Sequence, residues 1–133
     1  MDTVARAVAA LIGSRWSPPP ALLDRFPELR RARYRRGGLP LLAGGWALGR
    51  RRVAGITLWR TIFVSSERSA SPELLLHELR HVHQFETCSF FPLHYLWETL
   101  RVGYRQNRFE VDAREWARAM TSPPVDGSPS QDT

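Results

Sequence analysis

The stretch His77-Glu78-Leu79-Arg80-His81 constrains this chain more than any other, because its chemistry requires a helix and a second element that meets that helix face on. Residues four apart on an α-helix lie one above the other, about 6 Å between β-carbons. The imidazoles of His77 and His81 can therefore converge on one metal ion, with Glu78 beside them. A carboxylate in that place can take a proton from a metal-bound water, whose pKa the ion lowers from about 15.7 to about 7. The plain alternative is a helix whose two histidines are only packed or hydrogen-bonded. The flanking residues support the helix: Ser71 can cap it, Pro72 suits its first position and Glu73 complements its dipole. It is predicted from Pro72 to about Thr87. Leu74, His77, His81 and Phe85 or Cys88 fall near one inward stripe, with Glu73, Arg80 and Gln84 toward another. His83, two positions past the pair, points away from the ion.

A catalytic zinc normally takes three protein ligands and leaves one position for water. The candidate third ligand is Glu110, in Asn107-Arg108-Phe109-Glu110-Val111-Asp112-Ala113, which opens a second amphipathic helix to about Met120. Phe109, Ala113, Trp116 and Ala117 form its apolar stripe. Glu86, Glu98 and Asp112 are rivals, and the plain alternative for Glu110 itself is a solvated carboxylate at a helix start.

With those residues in view, the chain resembles a family. His77 to Gln84 reads HELRHVHQ and Asn107 to Ala113 reads NRFEVDA. Together with Tyr95-Leu96 and Gly103-Tyr104 they are similar to the HELxHVxQ and NPxExEA motifs of small gluzincin-like zinc metallopeptidase domains. Many members of that group have no assigned function. The resemblance runs from about Gly55 to Ala117 and implies His77, His81 and Glu110 as zinc ligands with Glu78 as general base. It also implies that an edge strand of the sheet pairs with extended substrate. The Glu-x-x-Ala element is similar to that of CAAX-protease-like peptidases, in which the first Glu is a ligand. Arg108 replaces the usual Pro and Asp112 the usual Glu, and Arg114 stands where the CAAX-protease-like motif carries an Asp.

Composition limits what can surround such a site. A chain of 133 residues, 43% of them hydrophobic with 5 Trp, has core enough for one domain and no room for a second. All 19 basic residues are Arg, for a net charge of +6, which attracts acidic partners without naming one. The Arg30 to Arg36 cluster is the strongest basic patch. It reads as a solvated helix face, and with Tyr34 its one interleaved aromatic it carries no nucleic-acid signature. Cys88 alone cannot form an intramolecular disulfide and points to a reducing, cytoplasmic setting. No apolar run reaches the roughly 18 residues of a membrane span, and the start, Met1 to Gly13, lacks the features of a secretory signal.

Thr3 to about Ser14 reads as an amphipathic helix, ended by Ser17-Pro18-Pro19-Pro20, and Ala21 to Tyr34 as a second. Between Leu41 and Ser65, Leu48, Val53, Ile56, Leu58, Ile62, Phe63 and Val64, punctuated by glycines, suggest two or three short strands. The stretch Gly55 to Val64 is the expected edge strand. Leu93 to about Gln106 reads as a helix burying Leu96, Trp97, Leu100 and Tyr104. Tyr95, Tyr104, His94 and Arg105 are the nearby groups able to stabilise an oxyanion.

The expected molecule is thus a mainly helical α+β, zincin-like domain with a small antiparallel sheet packed on the metal-binding helix. Residues 1–38 form an N-terminal helical segment placed to cover the cleft, 39–120 the metal-binding core and 121–133 a disordered tail. Its expected function is Zn2+-dependent hydrolysis of a peptide or protein substrate through Glu78. The alternatives are a non-catalytic metal-binding or scaffold module working with a protein partner and, behind it, an Arg-rich nucleic-acid-associated protein.

Overall fold

Ser71 accepts a hydrogen bond from the Leu74 amide at 3.1 Å, and Pro72 fills the first helical position, where its missing N–H costs nothing. The helix α3 therefore runs Pro72–Thr87 in the computed structural model, the bounds its sequence predicts. The described residues are 2–40, 43, 54–65 and 70–123. The expected strand residues Leu48 and Val53, and the expected tail beyond Pro123, lie outside them. Ahead of α3 come α1 (Thr3–Ile12), β1 (Ser14–Arg15), α2 (Pro20–Arg25), a 3-10 turn (Pro27–Arg31), β2 (Arg33–Arg36), β3 (Gly55–Leu58) and β4 (Thr61–Val64). After it come α4 (Phe91–Val102) and α5 (Arg108–Thr121). Among the described residues the fold is α+β and mainly helical, with one small four-stranded sheet.

Pro27 divides the helix expected over Ala21 to Tyr34. Its ring cannot continue α2, so the chain tightens into the 3-10 turn and then extends as β2. That correction changes the sheet. The strand order is β1-β2-β4-β3, with β1 antiparallel to β2, β3 antiparallel to β4, and β2 parallel to β4. The sheet is mixed rather than wholly antiparallel: a two-residue turn forces β3 and β4 to reverse, whereas the long connection from β2 leaves a parallel pairing open. The expected strand Gly55 to Val64 is accordingly a hairpin turning at Trp59-Arg60, with Leu58 opposite Thr61. Trp59 takes a left-handed φ of +52° there, a conformation favoured in such turns.

Residues before Leu39 are not a detachable cover. β2 is an interior strand, and Phe26 and Leu29 join Ile62, Val64, Leu75, Leu76, Leu79, Val82 and Ala117 in the core. Gly13 makes the return of the chain possible: at φ +70° it lies so close to Arg36 and Gly37 that a β-carbon would stand 2.7 Å from their carbonyl oxygens. Three of the five arginines of the Arg30 to Arg36 cluster are engaged within this unit, and Arg31 and Arg33 are exposed. Arg30 bonds Asp24 and the Leu23 carbonyl, Arg35 the Ile12 and Gly13 carbonyls, and Arg36 lies over Trp16.

The core places the two long helices. α3 packs against α5 through Ala113 and Ala117, both fully buried, whose small side chains allow the close approach. The hydroxyl of Thr121 and the Ser122 amide close the end of α5 on Ala117 and Arg118 carbonyls. α4 departs from expectation. It ends at Val102, and Leu96, Trp97 and Leu100, read as its buried face, are exposed, while Phe91 and Glu98 are the residues it buries.

Candidate metal centre

Two turns of α3 and the first turn of α5 supply the site. The imidazole rings of His77 and His81 stand 5.0 Å apart, nearly perpendicular. Glu110 reaches between them: His77 Nε2 donates to its Oε2 at 2.8 Å, and His81 Nε2 approaches its Oε1 at 3.0 Å. One ligand atom from each residue lies within 4.8 Å of the others, a cluster able to hold a metal ion. Two imidazoles and one carboxylate, two of them almost fully buried, are the donor set that suits a transition metal.

Asn107 brings Glu110 there. Its side-chain oxygen accepts from the Phe109 amide at 2.9 Å and caps α5, while its amide group donates to the Tyr95 carbonyl and the Thr99 hydroxyl of α4. One buried side chain thus fixes the start of α5 against α4. Tyr95 then donates its hydroxyl to Glu110 Oε1 at 2.7 Å.

A second chain of contacts fixes His81. Gln84 Oε1 faces His81 Nδ1 at 2.7 Å, while Gln84 Nε2 donates to Asp112 Oδ2 and to the Phe109 carbonyl. Asp112 is held in turn by Arg80 at 2.8 Å, whose guanidinium keeps the Asp112 carboxyl below its usual range. With its amide nitrogen so occupied, Gln84 presents its oxygen to the ring. His81 Nδ1 must donate, and Nε2 is aimed at the ligand cluster, the orienting role that outer partners play at metal sites. Gln84 is buried, although the helical spacing sets it off the stripe that carries the histidines.

Glu78 shares the cavity. Its Oε2 accepts from the Thr57 hydroxyl at 2.7 Å, and Gly55 lies so close that a β-carbon would meet Glu78 Cγ at 3.2 Å. Both neighbours belong to β3, so the sheet is the floor on which this carboxylate rests. The cavity has a volume of about 330 Å³, within the range of small-ligand sites. Its polar groups come from Glu78, His81, Glu110, Thr57, Tyr95, Thr99 and Tyr104, and its walls from Ile56, Leu58, Trp59, Phe85, Phe91, Pro92 and Leu96.

The rival ligands are elsewhere. Glu86 pairs with Arg60, Glu98 with Arg101, and Asp112 with Arg80 and Gln84. Tyr104 lines the cavity, whereas the Tyr95 hydroxyl, an expected oxyanion group, is engaged by Glu110. His94 and Arg105 are exposed, and His83 packs edge-on against Trp116. Sequence reasoning missed the roles of Gly55, Thr57, Gln84 and Asn107. Spacing could have found Gln84, three residues past His81 on one helix; nothing local marks Gly55 or Thr57.

Protonation follows from the geometry. Burial disfavours a charged His81, but its bond to Glu110, the charges of Glu110 and Glu78, and the Gln84 contact outweigh burial and raise it from 6.5 to about 9. Burial would likewise raise Glu110, yet the bonds and charges of His77 and His81 hold it far below the usual carboxylate range. The raised His81 stabilises the metal-free fold fully below about 6.5 and ceases to do so as pH rises through about 9. The depressed Glu110 stabilises it above about 4.5 and ceases to as pH falls. Metal-free protein should therefore melt highest between those limits and lower toward pH 9. A metal must displace the His81 proton, so affinity should climb by up to about tenfold per pH unit below 9. Chelator competition across that range checks this, and a flat profile would count against His81 as a ligand.

Compared with family models, curated proteins and solved structures, the chain gives no significant match to any.

Proposed function

We propose that the chain is a zinc-dependent hydrolase acting on peptides, with His77, His81 and Glu110 holding the ion and Glu78 as general base. The observation that carries this reading is that Glu78 shares one cavity with His81 and Glu110. Zinc bound there would supply Lewis acidity toward a carbonyl and a more acidic water. Glu78 accepts the proton of the attacking water and returns it to the leaving amine. Thr57 holds one Glu78 oxygen and so orients the other.

The resemblance to gluzincin-like domains adds support, and so does the place of β3 at the end of the strand order among the described residues. The Ser65 amide bonds the Ala54 carbonyl at 2.9 Å, and Leu58 closes the hairpin opposite Thr61. By the alternation of an antiparallel ladder, the main-chain groups of Gly55 and Thr57 face away from β4. They border the cavity and are placed to pair with an extended chain.

The test is Glu78→Gln assayed on a mixture of fluorogenic peptides, with zinc measured in the same samples. Turnover should fall by about 10²–10⁴-fold with zinc retained. Unchanged turnover would remove Glu78 as the base. A folded, zinc-loaded parent that cleaves nothing would favour the non-catalytic metal module.

A further inference from the structure

The apolar stripe of α4 does not face the core. Leu93, Leu96, Trp97 and Leu100 are 66, 55, 64 and 74% exposed, and Phe90, the residue that leads into the helix, is 76% exposed. Across the cavity, Trp59 at the tip of the β3–β4 hairpin is 65% exposed. Leu58, Trp59 and Leu96 also line the cavity, so the exposed side chains continue out of the cleft on both sides of its mouth. Single exposed apolar residues are ordinary on any protein. A continuous set on one helix face and an adjoining turn marks a surface that meets something.

Charge decides what that is. Among the described residues, the exposed positions of α4 carry no carboxylate: Glu98 is turned inward, and Arg101 bonds it from outside. Arg101 remains over half exposed, and Arg60, next to Trp59, is 69% exposed. Glu86 is the acidic neighbour, and Arg60 already engages it at 3.3 Å. Arg105 follows α4, also exposed. The surface is therefore apolar with two tryptophans and has arginines at its margin, the composition of a helix that lies in a membrane interface. Pairing with a second copy would bring two bodies of net charge +6 together, whereas an anionic bilayer gains about 1 kcal/mol for each cation near its surface.

We infer that the α4 face, with the Trp59 hairpin tip, docks this protein on an anionic lipid surface, the mouth of the cavity turned toward the membrane. Docking of this kind needs no spanning segment, and no described helix is long and apolar enough to be one. It stands independently of the hydrolase reading, since neither α4's outer face nor the arginines take part in that chemistry.

The test is flotation of the full chain with vesicles of phosphatidylcholine alone and of phosphatidylcholine mixed with phosphatidylglycerol. The protein should float with the mixed vesicles, less so as salt rises, and hardly with the neutral ones. The triple variant Leu93→Ser, Trp97→Ser, Leu100→Ser changes exposed side chains outside the cavity lining. It should melt as the parent does and partition at least about thirtyfold more weakly. Val8→Ser with Leu11→Ser, on the exposed apolar side of α1, should leave partitioning unchanged. Failure to float with mixed vesicles would overturn the inference, as would full binding by the triple variant. Loss of binding in the α1 variant alone, or a parent dimer that the triple variant dissolves, would also overturn it.

Discussion

Purified Glu110→Ala protein is expected to bind zinc at least about a hundredfold more weakly than the parent. Glu110 is the one anionic member of the cluster His77, His81 and Glu110, and it is 3% exposed. Its two oxygens take His77, His81 and the Tyr95 hydroxyl. Truncation removes one of the three proposed ligands and leaves the buried His81 and the half-buried His77 and Tyr95 without their shared acceptor, a cost comparable to breaking a buried charge pair. Elemental mass spectrometry and chelator competition measure the metal, and circular dichroism checks the fold. His77→Ala should behave alike. Asp112→Asn should cost only about tenfold, since it loosens Gln84 and touches no ligand. Metal lost with His77→Ala and kept in full with Glu110→Ala would place the third ligand elsewhere.

The second large effect concerns residues 1–38. Read as a cover over the cleft, their removal should raise activity; read from the fold, it should leave a chain that does not fold. Phe26 and Leu29 are 5 and 0% exposed in the core, and losing such side chains costs about 2–5 kcal/mol each. The deletion also strips β4 of its partner β2 along four register positions from Arg33↔Thr61 to Arg36↔Val64, turning an interior strand into an edge. Those losses approach the whole stability of an ordinary domain, about 5–15 kcal/mol. Far-ultraviolet circular dichroism and urea titration of the truncated chain decide it. A cooperative transition at the parent midpoint would contradict the placement of β2.

The departures from the sequence reading share one cause. The α4 stripe, Leu96, Trp97 and Leu100, has the periodicity of a buried face, but periodicity records only that a side is apolar. Whether core, membrane or partner covers it depends on neighbours far away in the chain. The turn from α2 into β2 was legible in principle, since Pro27 stands in the middle of the expected helix. That β2 would lie beside β4 was not, because a parallel pairing has no local turn signal.

By itself the sequence determined α3 and what it carries: its start at Ser71-Pro72, the convergence of His77 and His81, and the place of Glu78 beside them. These are relations within about four residues, and helix geometry settles them without help. The sequence named Glu110 as the candidate third member with Glu86, Glu98 and Asp112 as rivals, and tertiary structure decided among them. Glu86, Glu98, Glu110 and Asp112 are equivalent as chemistry, and only the packing of α5 on α3, with Asn107 fixing its start on α4, brings Glu110 to the histidines. The same packing gave Asp112 to Gln84, and the sheet gave Thr57 and Gly55 to Glu78. The contacts of α3 with α5 and β3 join residues more than twenty positions apart, and the crossing of packed elements, which no local propensity encodes, sets them.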